Sequence, residues 1–249
     1  MAIREILLPL VSYPVAVEEA AIKKSVSVAA HLDAQITAVS FEVDSRPLGG
    51  SYTRPFPTDG LTIETPEHKQ SLISAEQMMA VFDTAARASG IGYHRTIKRC
   101  VPEDFSSYLA FCARTFDLSL VPVRSFDAMH EKVVEELIFQ SGRPLLIFSG
   151  GMADRLPSSF DHAAIAWDHS QQATRAIADA MWFLQSAKTV RVFTATDNET
   201  SAERESGEAL VKLWPRTASK PCLKLFPRGR PQLEKSSKLM SKITRSIFW

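Results

Sequence analysis

Asp168, His169 and Ser170 stand where a short apolar run gives way to a stretch with helical periodicity. A carboxylate and a hydroxyl at that junction can do either of two things. They can accept hydrogen bonds from the orphan amides of the helix start, or they can offer their oxygens to a ligand held at the carboxyl end of the strand. His169 has no Ser, Cys or acid partner at a recognisable spacing, so no catalytic base and no catalytic residue is assigned. His31, His68, His94 and His130 are scattered over separate elements without metal-ligand spacing, and no metal site is expected. Cys100, Cys112 and Cys222 are an odd set with no Cys-x-x-Cys pattern, which suits reduced, inert thiols in a reducing compartment. The expected localisation is therefore cytoplasmic. Arg4 and Glu5 precede a short apolar stretch with no small-residue cleavage site, so no secretory signal is expected.

The elements that position these residues follow from hydrophobic periodicity. Residues 5–10 (EILLPL) are a compact apolar run, residues 15–32 repeat apolar positions at helical spacing, and residues 35–41 (QITAVSF) alternate and are rich in β-branched side chains. Val17, Ala20, Ala21, Ala29 and Leu32 are expected on the core face of that helix, with Glu19 and Lys23 paired on its solvated side. Residues 44–66 hold Pro47, Gly49, Gly50, Pro55, Pro57 and Gly60 and read as a long loop. A helix over 67–89 starts at Pro66 and stops at Gly90, with Met78, Met79 and Phe82 as core packing. There follow a strand at 93–98, a helix at 102–116, a strand at 118–123, a helix at 130–140 and a buried strand at 145–148. The pattern then restarts with a strand at 162–167, a helix at 170–185 and a strand at 190–196. Regular alternation of this kind predicts α/β architecture: a parallel sheet with helices on both faces, present in two copies.

With 249 residues, 45% hydrophobic and 23% charged, the chain has ordinary globular composition. Its apolar runs fall short of the roughly 20 residues that a membrane helix needs, so no membrane partner is expected. The net charge of +1 conceals an asymmetry: residues 213–249 hold nine Lys and Arg against one acid, Glu234, while the rest of the chain is acidic. A basic end on an acidic body is the usual sign of a nucleic-acid arm.

The strings ILLPL at the head of the first copy and IAWDHS (residues 165–170) at the head of the second resemble the universal stress protein family in its tandem form. FQSGRPLLIF (residues 139–148) is similar to the end of a first copy in bacterial tandem members. The resemblance implies a Rossmann-like, adenine nucleotide alpha hydrolase-like fold, no enzymatic activity, a role in stress response, and pairing as a homodimer or between the two copies. Members that bind ATP carry a glycine-rich phosphate loop after the fourth strand, where exposed backbone amides cradle the phosphates. The matching residues 121–140 contain no glycine, and Gly142 reads as a helix stop. The acid that meets adenine or ribose in those members falls near Leu10 or Val11, neither of which accepts a hydrogen bond through its side chain. The first copy therefore reads as ligand-free or changed in ligand. In the second copy the acid is kept as Asp168 with Ser170 following, so two readings stay open: no cofactor, or ATP held through Asp168 and Ser170.

On this reading residues 1–152 form a complete domain and 160–212 a partial second copy, with 213–249 an off-pattern basic tail. Four prolines interrupt that tail and no period is sustained in it. Codons that suit these residues, read in a frame moved by two bases from near Leu213, spell a strand, a helix and a further strand that parallel residues 90–120. Two readings stay open: a genuine basic extension, which Pro, Ser and Lys enrichment permits, or a change of reading frame, on which the basic charge is no evidence for nucleic acid as a partner.

Overall fold

A computed structural model describes residues 3–44, 65–123, 128–149, 162–196, 201–212 and 222–227. They fall into two compact units, the chain dividing between residues 155 and 156. The first unit runs β1 (Glu5–Leu10), α1 (Glu19–His31), β2 (Gln35–Val43), α2 (Pro66–Ser89), β3 (Tyr93–Cys100), α3 (Pro102–Ala113), β4 (Leu118–Val123), α4 (Ala128–Gln140) and β5 (Leu145–Ser149). Its strands pair in the order β3-β2-β1-β4-β5, every pair parallel. The second unit runs β6 (His162–Ala166), α5 (Gln171–Ser186), β7 (Thr189–Thr196), α6 (Ser201–Lys212) and β8 (Cys222–Pro227), with parallel order β6-β7-β8.

Parallel strands covered on both faces read as continuous apolar runs, and β1 is the case in point. Ile6, Leu7, Leu8 and Leu10 are all fully buried. Successive side chains alternate between faces. Leu7 and Val11, with Val39, Phe41 and Val43 of β2 and Val121 of β4, pack against Phe105 and Leu109 of α3 and Val133, Val134 and Leu137 of α4. The Phe41 and Phe105 rings lie 4.2 Å apart at the centre of that layer. The opposite face carries Ile6, Leu8, Leu10, Ile36 and Ala38, and the buried residues Ile22 and Val26 of α1 and Met78, Met79 and Phe82 of α2 belong to the layer that covers it.

The register of β4 against β1 has an identifiable fastening. The Asp117 carboxylate accepts from the amides of Arg4 at 2.9 Å and Glu5 at 3.1 Å, while the Asp117 amide donates to the Glu5 carbonyl at 2.9 Å. One side chain thus satisfies two donors at the start of the strand and fixes the step at which β4 enters. The helix boundaries follow local signals in the same way. Thr65 caps α2 by accepting from the His68 amide, Pro66 occupies its first turn, and Gly90 ends it with φ of 66°. Gly142 takes φ of 65° just beyond α4, as a helix stop requires.

Some boundaries differ from the sequence expectation. The first helix begins at Glu19 rather than residue 15, because Val17 gives its amide to the Val11 carbonyl and Glu18 stays extended at φ −69°, ψ 146°. Residues 45–64 of the long loop lie outside the described residues. Strand β8 lies inside the segment that lacked a sustained period, paired along its length with residues 191–196 of β7. In the second unit Ile165, Ile177, Leu184, Val190 and Val192 form the core, and the Trp167 indole donates to Ser206 of α6 at 3.3 Å. Phe105→Ala is expected to destabilise the first unit by about 3–5 kcal/mol through lost burial and the cavity left behind. Urea unfolding monitored by circular dichroism should show a lower midpoint with little change in slope.

Candidate functional site

In an open parallel sheet, ligands bind beyond the carboxyl ends of the strands where the winding reverses. In the first unit that point lies between β1 and β4. The described residues at the strand ends there are buried. Leu10, Val11, Ser12 and Val121 are all buried, and Tyr13, Val17, Val123 and Met129 pack against the core cluster that contains Val11 and Val121. The Ser12 hydroxyl donates to the Phe41 carbonyl, and the Ser40 hydroxyl donates to the Leu10 carbonyl at 2.7 Å. Residues 13–18 turn back over the strand end, held by the Val17 amide on Val11. Residues 124–127, within the glycine-free stretch 121–140, lie outside the described residues.

A polar knot sits beside this point, at the end of β2, and sequence reasoning missed it. His68 Nδ1 donates to the Val43 carbonyl at 2.9 Å, the Val43 amide donates to Ser71 Oγ at 2.8 Å, and Ser71 Oγ donates to the His68 carbonyl at 2.9 Å. Asp44, also buried, lies 3.7 Å from the Arg99 guanidinium, which also reaches Glu42. The knot ties the first turn of α2 to the strand it follows. The available signal was His68 and Ser71 three residues apart at a helix start, which places both on one face.

The second unit presents the sequence-predicted pair in the open. Ser170 is the N-cap of α5, its oxygen accepting from the Ala173 amide at 3.0 Å. The Ser170 amide donates to Asp168 Oδ1 at 3.0 Å, and His169 between them takes φ of 66°. Asp168 is thus held in a local turn at the carboxyl end of β6, its carboxylate exposed to solvent. Hydrogen bonds from the Ser170 hydroxyl and amide, aided by the His169 charge, keep it below the ordinary carboxylate range. The two ladders start at the same step, Glu5 opposite Gln35 and His162 opposite Thr189. Asp168 therefore corresponds to buried Val11.

The remaining candidates stay apart. His31 and His94 are exposed, His68 and His130 are buried on different helices, and among the described residues no three His, Cys, Asp or Glu side chains form a metal-binding group. Burial, with Asp104 nearby, pushes the Cys100 thiol up to about 11, so its thiolate is scarce at neutral pH. Among the described residues no helix is long and apolar enough to cross a membrane.

No protein-family model and no curated protein matches the sequence. Solved structures do. A universal stress protein from Archaeoglobus fulgidus DSM 4304 superposes with a TM-score of 0.65 over 95% of this chain and 82% of that one, at 13% identity. The fold is the universal stress protein fold. A provisionally named universal stress protein from Pseudomonas aeruginosa UCBPP-PA14 is similar at a TM-score of 0.55, covering 96% of this chain and 80% of that one at 15% identity.

Ser170→Ala is expected to destabilise the second unit by about 0.5–2 kcal/mol, the usual value of an N-cap hydroxyl, read by thermal unfolding. Because the folded-state pKa of Asp168 is depressed, its contribution is fully present above the unfolded value near 3.9 and is lost as pH falls through the lower folded value. A carboxyl-detected NMR titration should place the Asp168 midpoint below 3.9, and Ser170→Ala should raise it.

Proposed function

We propose that this chain is a cytoplasmic, non-catalytic stress-response and interaction module built on the universal stress protein fold, and that its first unit does not take ATP. The observation that carries the reading is the buried, acid-free end of β1 at the switch point of the first unit. Leu10 and Val11 occupy the place where an acid would meet a base or ribose, and Ser12 has spent its hydroxyl on Phe41. Residues 121–140 supply no glycine to expose backbone amides to phosphates. Surfaces suited to association support the other half of the reading. Phe111 and Phe139 are 67% and 73% exposed, and β5 ends the sheet with an uncharged run, Leu145 to Ser149. Pairing as a homodimer, or between the two copies of one chain, would cover such surfaces.

A second reading draws on Asp168. Its carboxylate is ionised, solvent-facing and next to the amino terminus of α5, which is where the second copy would contact the ribose or base of ATP. Calorimetric titration with Mg-ATP separates the two. The interaction-module reading expects no saturable heat up to millimolar nucleotide, and no phosphate release above the buffer rate. Saturable binding that disappears in Asp168→Ala would replace it with the nucleotide-binding reading.

A further inference from the structure

Helices α3 and α4 lie side by side on one face of the first unit and run in the same direction, each returning the chain between parallel strands. Two hydrogen bonds hold them level. Near their starts the Lys132 ammonium donates to the Glu103 carbonyl at 3.0 Å, and at their ends Arg114 Nε donates to the Gln140 carbonyl at 3.3 Å. The inner side of the pair is core. The outer side has the same order on both helices. Along α3 it runs Glu103, Ser107, Phe111 and Arg114; along α4 and just past its end it runs Glu131, Glu135, Phe139 and Arg143. Steps of three and four residues keep the helical positions on one stripe. All of these side chains are exposed except Arg143, which is half-buried. One end of the face is therefore acidic and the other aromatic and basic, and the two ends of α3 lie about 16 Å apart at the helical rise of about 1.5 Å per residue.

Acids at a helix start and a cation at its end complement the macrodipole, which accounts for the signs of the charges. It does not account for the rings. Phe111 and Phe139 are the two most exposed large apolar side chains among the described residues, and Ile138 beside Phe139 is exposed as well. The arginines are set among them. The Arg114 guanidinium lies over the Phe111 ring at 5.9 Å, and Arg143 Nε donates to the Arg114 carbonyl at 3.1 Å. Among the described residues neither arginine forms an ion pair, and neither do Glu103 and Glu131.

Such a face is complementary to itself turned end for end. A two-fold axis lying across the helices, in the plane of the face, lays α3 on α3 and α4 on α4 in opposite directions. Glu103 then meets Arg114 of the second copy, Glu131 meets Arg143, and the exposed rings of both copies are covered. We propose that the outer face of α3 and α4 is the contact surface of a homodimer of this chain, with these charge pairs, each formed twice, setting its register. Pairing through the β5 edge would leave Phe111 and Phe139 to solvent. The inference rests on the interaction-module reading and names its partner as a second copy. Two helices about 18–20 Å long and about 10 Å wide make a small contact, at the low end of specific interfaces, so the dimer dissociates reversibly in the micromolar range.

Sedimentation equilibrium of the full chain from about 1 to about 200 μM tests this. A concentration-dependent monomer–dimer equilibrium is expected, weakened at least tenfold when Phe111→Ser and Phe139→Ser are combined. Glu103→Arg and Arg114→Glu should each weaken association, and together they should restore it to within about threefold of wild type, because opposite charges face each other again with the order reversed. Circular dichroism verifies that each variant keeps its fold. A monomer throughout the range, dimerisation untouched by the serine substitutions, or no recovery in the charge-swapped double variant overturns the proposal. A monomer would leave the interaction-module reading standing with a different partner. Mg-ATP binding in the preceding titration would overturn that reading without altering the sedimentation result.

Discussion

The double-sided burial of β1 is the constraint on which the first unit depends. A central parallel strand donates and accepts on both edges and packs on both faces, and once buried each of the four is costly to leave unsatisfied. Strands β2 and β4 take the edges, and the α1–α2 and α3–α4 layers take the faces. Asp117 matters because it fixes the step at which β4 enters, and one step of slip would turn Leu118 and Leu120 to the wrong face. The same closure explains the chemistry. At the strand end where this architecture usually works, Val11 belongs to the core cluster, with Tyr13 and Val17 packed against that cluster.

Among the described residues the second unit repeats the winding of the first three strands. Its core gathers on Ile165, Val190 and Val192, covered by Ile177 and Leu184 of α5, whereas Ala166 on the alternate positions of β6 is exposed. The polar groups differ accordingly. Where the first unit buries Val11, the second exposes Asp168, tied into a turn by Ser170. Capping and ligand contact draw on the same oxygens, so a ligand at Asp168 would compete with the hydrogen bonds that hold the head of α5.

Much of the architecture was legible because burial on two faces leaves a strong mark. LLPL, LSLVPV and LLIF announced β1, β4 and β5, and Pro66 with Gly90 bracketed α2. The start of α1 was misplaced because apolar residues from Val15 onward continue the helical period, while the decisive hydrogen bond, Val17 to Val11, is tertiary. Strand β8 was hidden because Cys222–Pro227 is short, sits among prolines, and gains its definition from the β7 ladder. At the site, the missing acid and glycines were readable as residue types. The His68–Ser71–Val43 knot was not, because it joins two elements across a loop of more than twenty residues.

The contrast between β1, paired on both edges, and β6, paired among the described residues with β7 alone, is open to direct measurement by residue-resolved amide hydrogen exchange of the full chain. The account predicts that β1 amides from Ile6 to Leu8 are among the slowest to exchange, and that in β6 protection alternates, slow at Ala163 and Ile165 and fast at Ala164 and Ala166. Uniform protection along β6, equal to that of β1, would contradict it, because the edge would then already be paired.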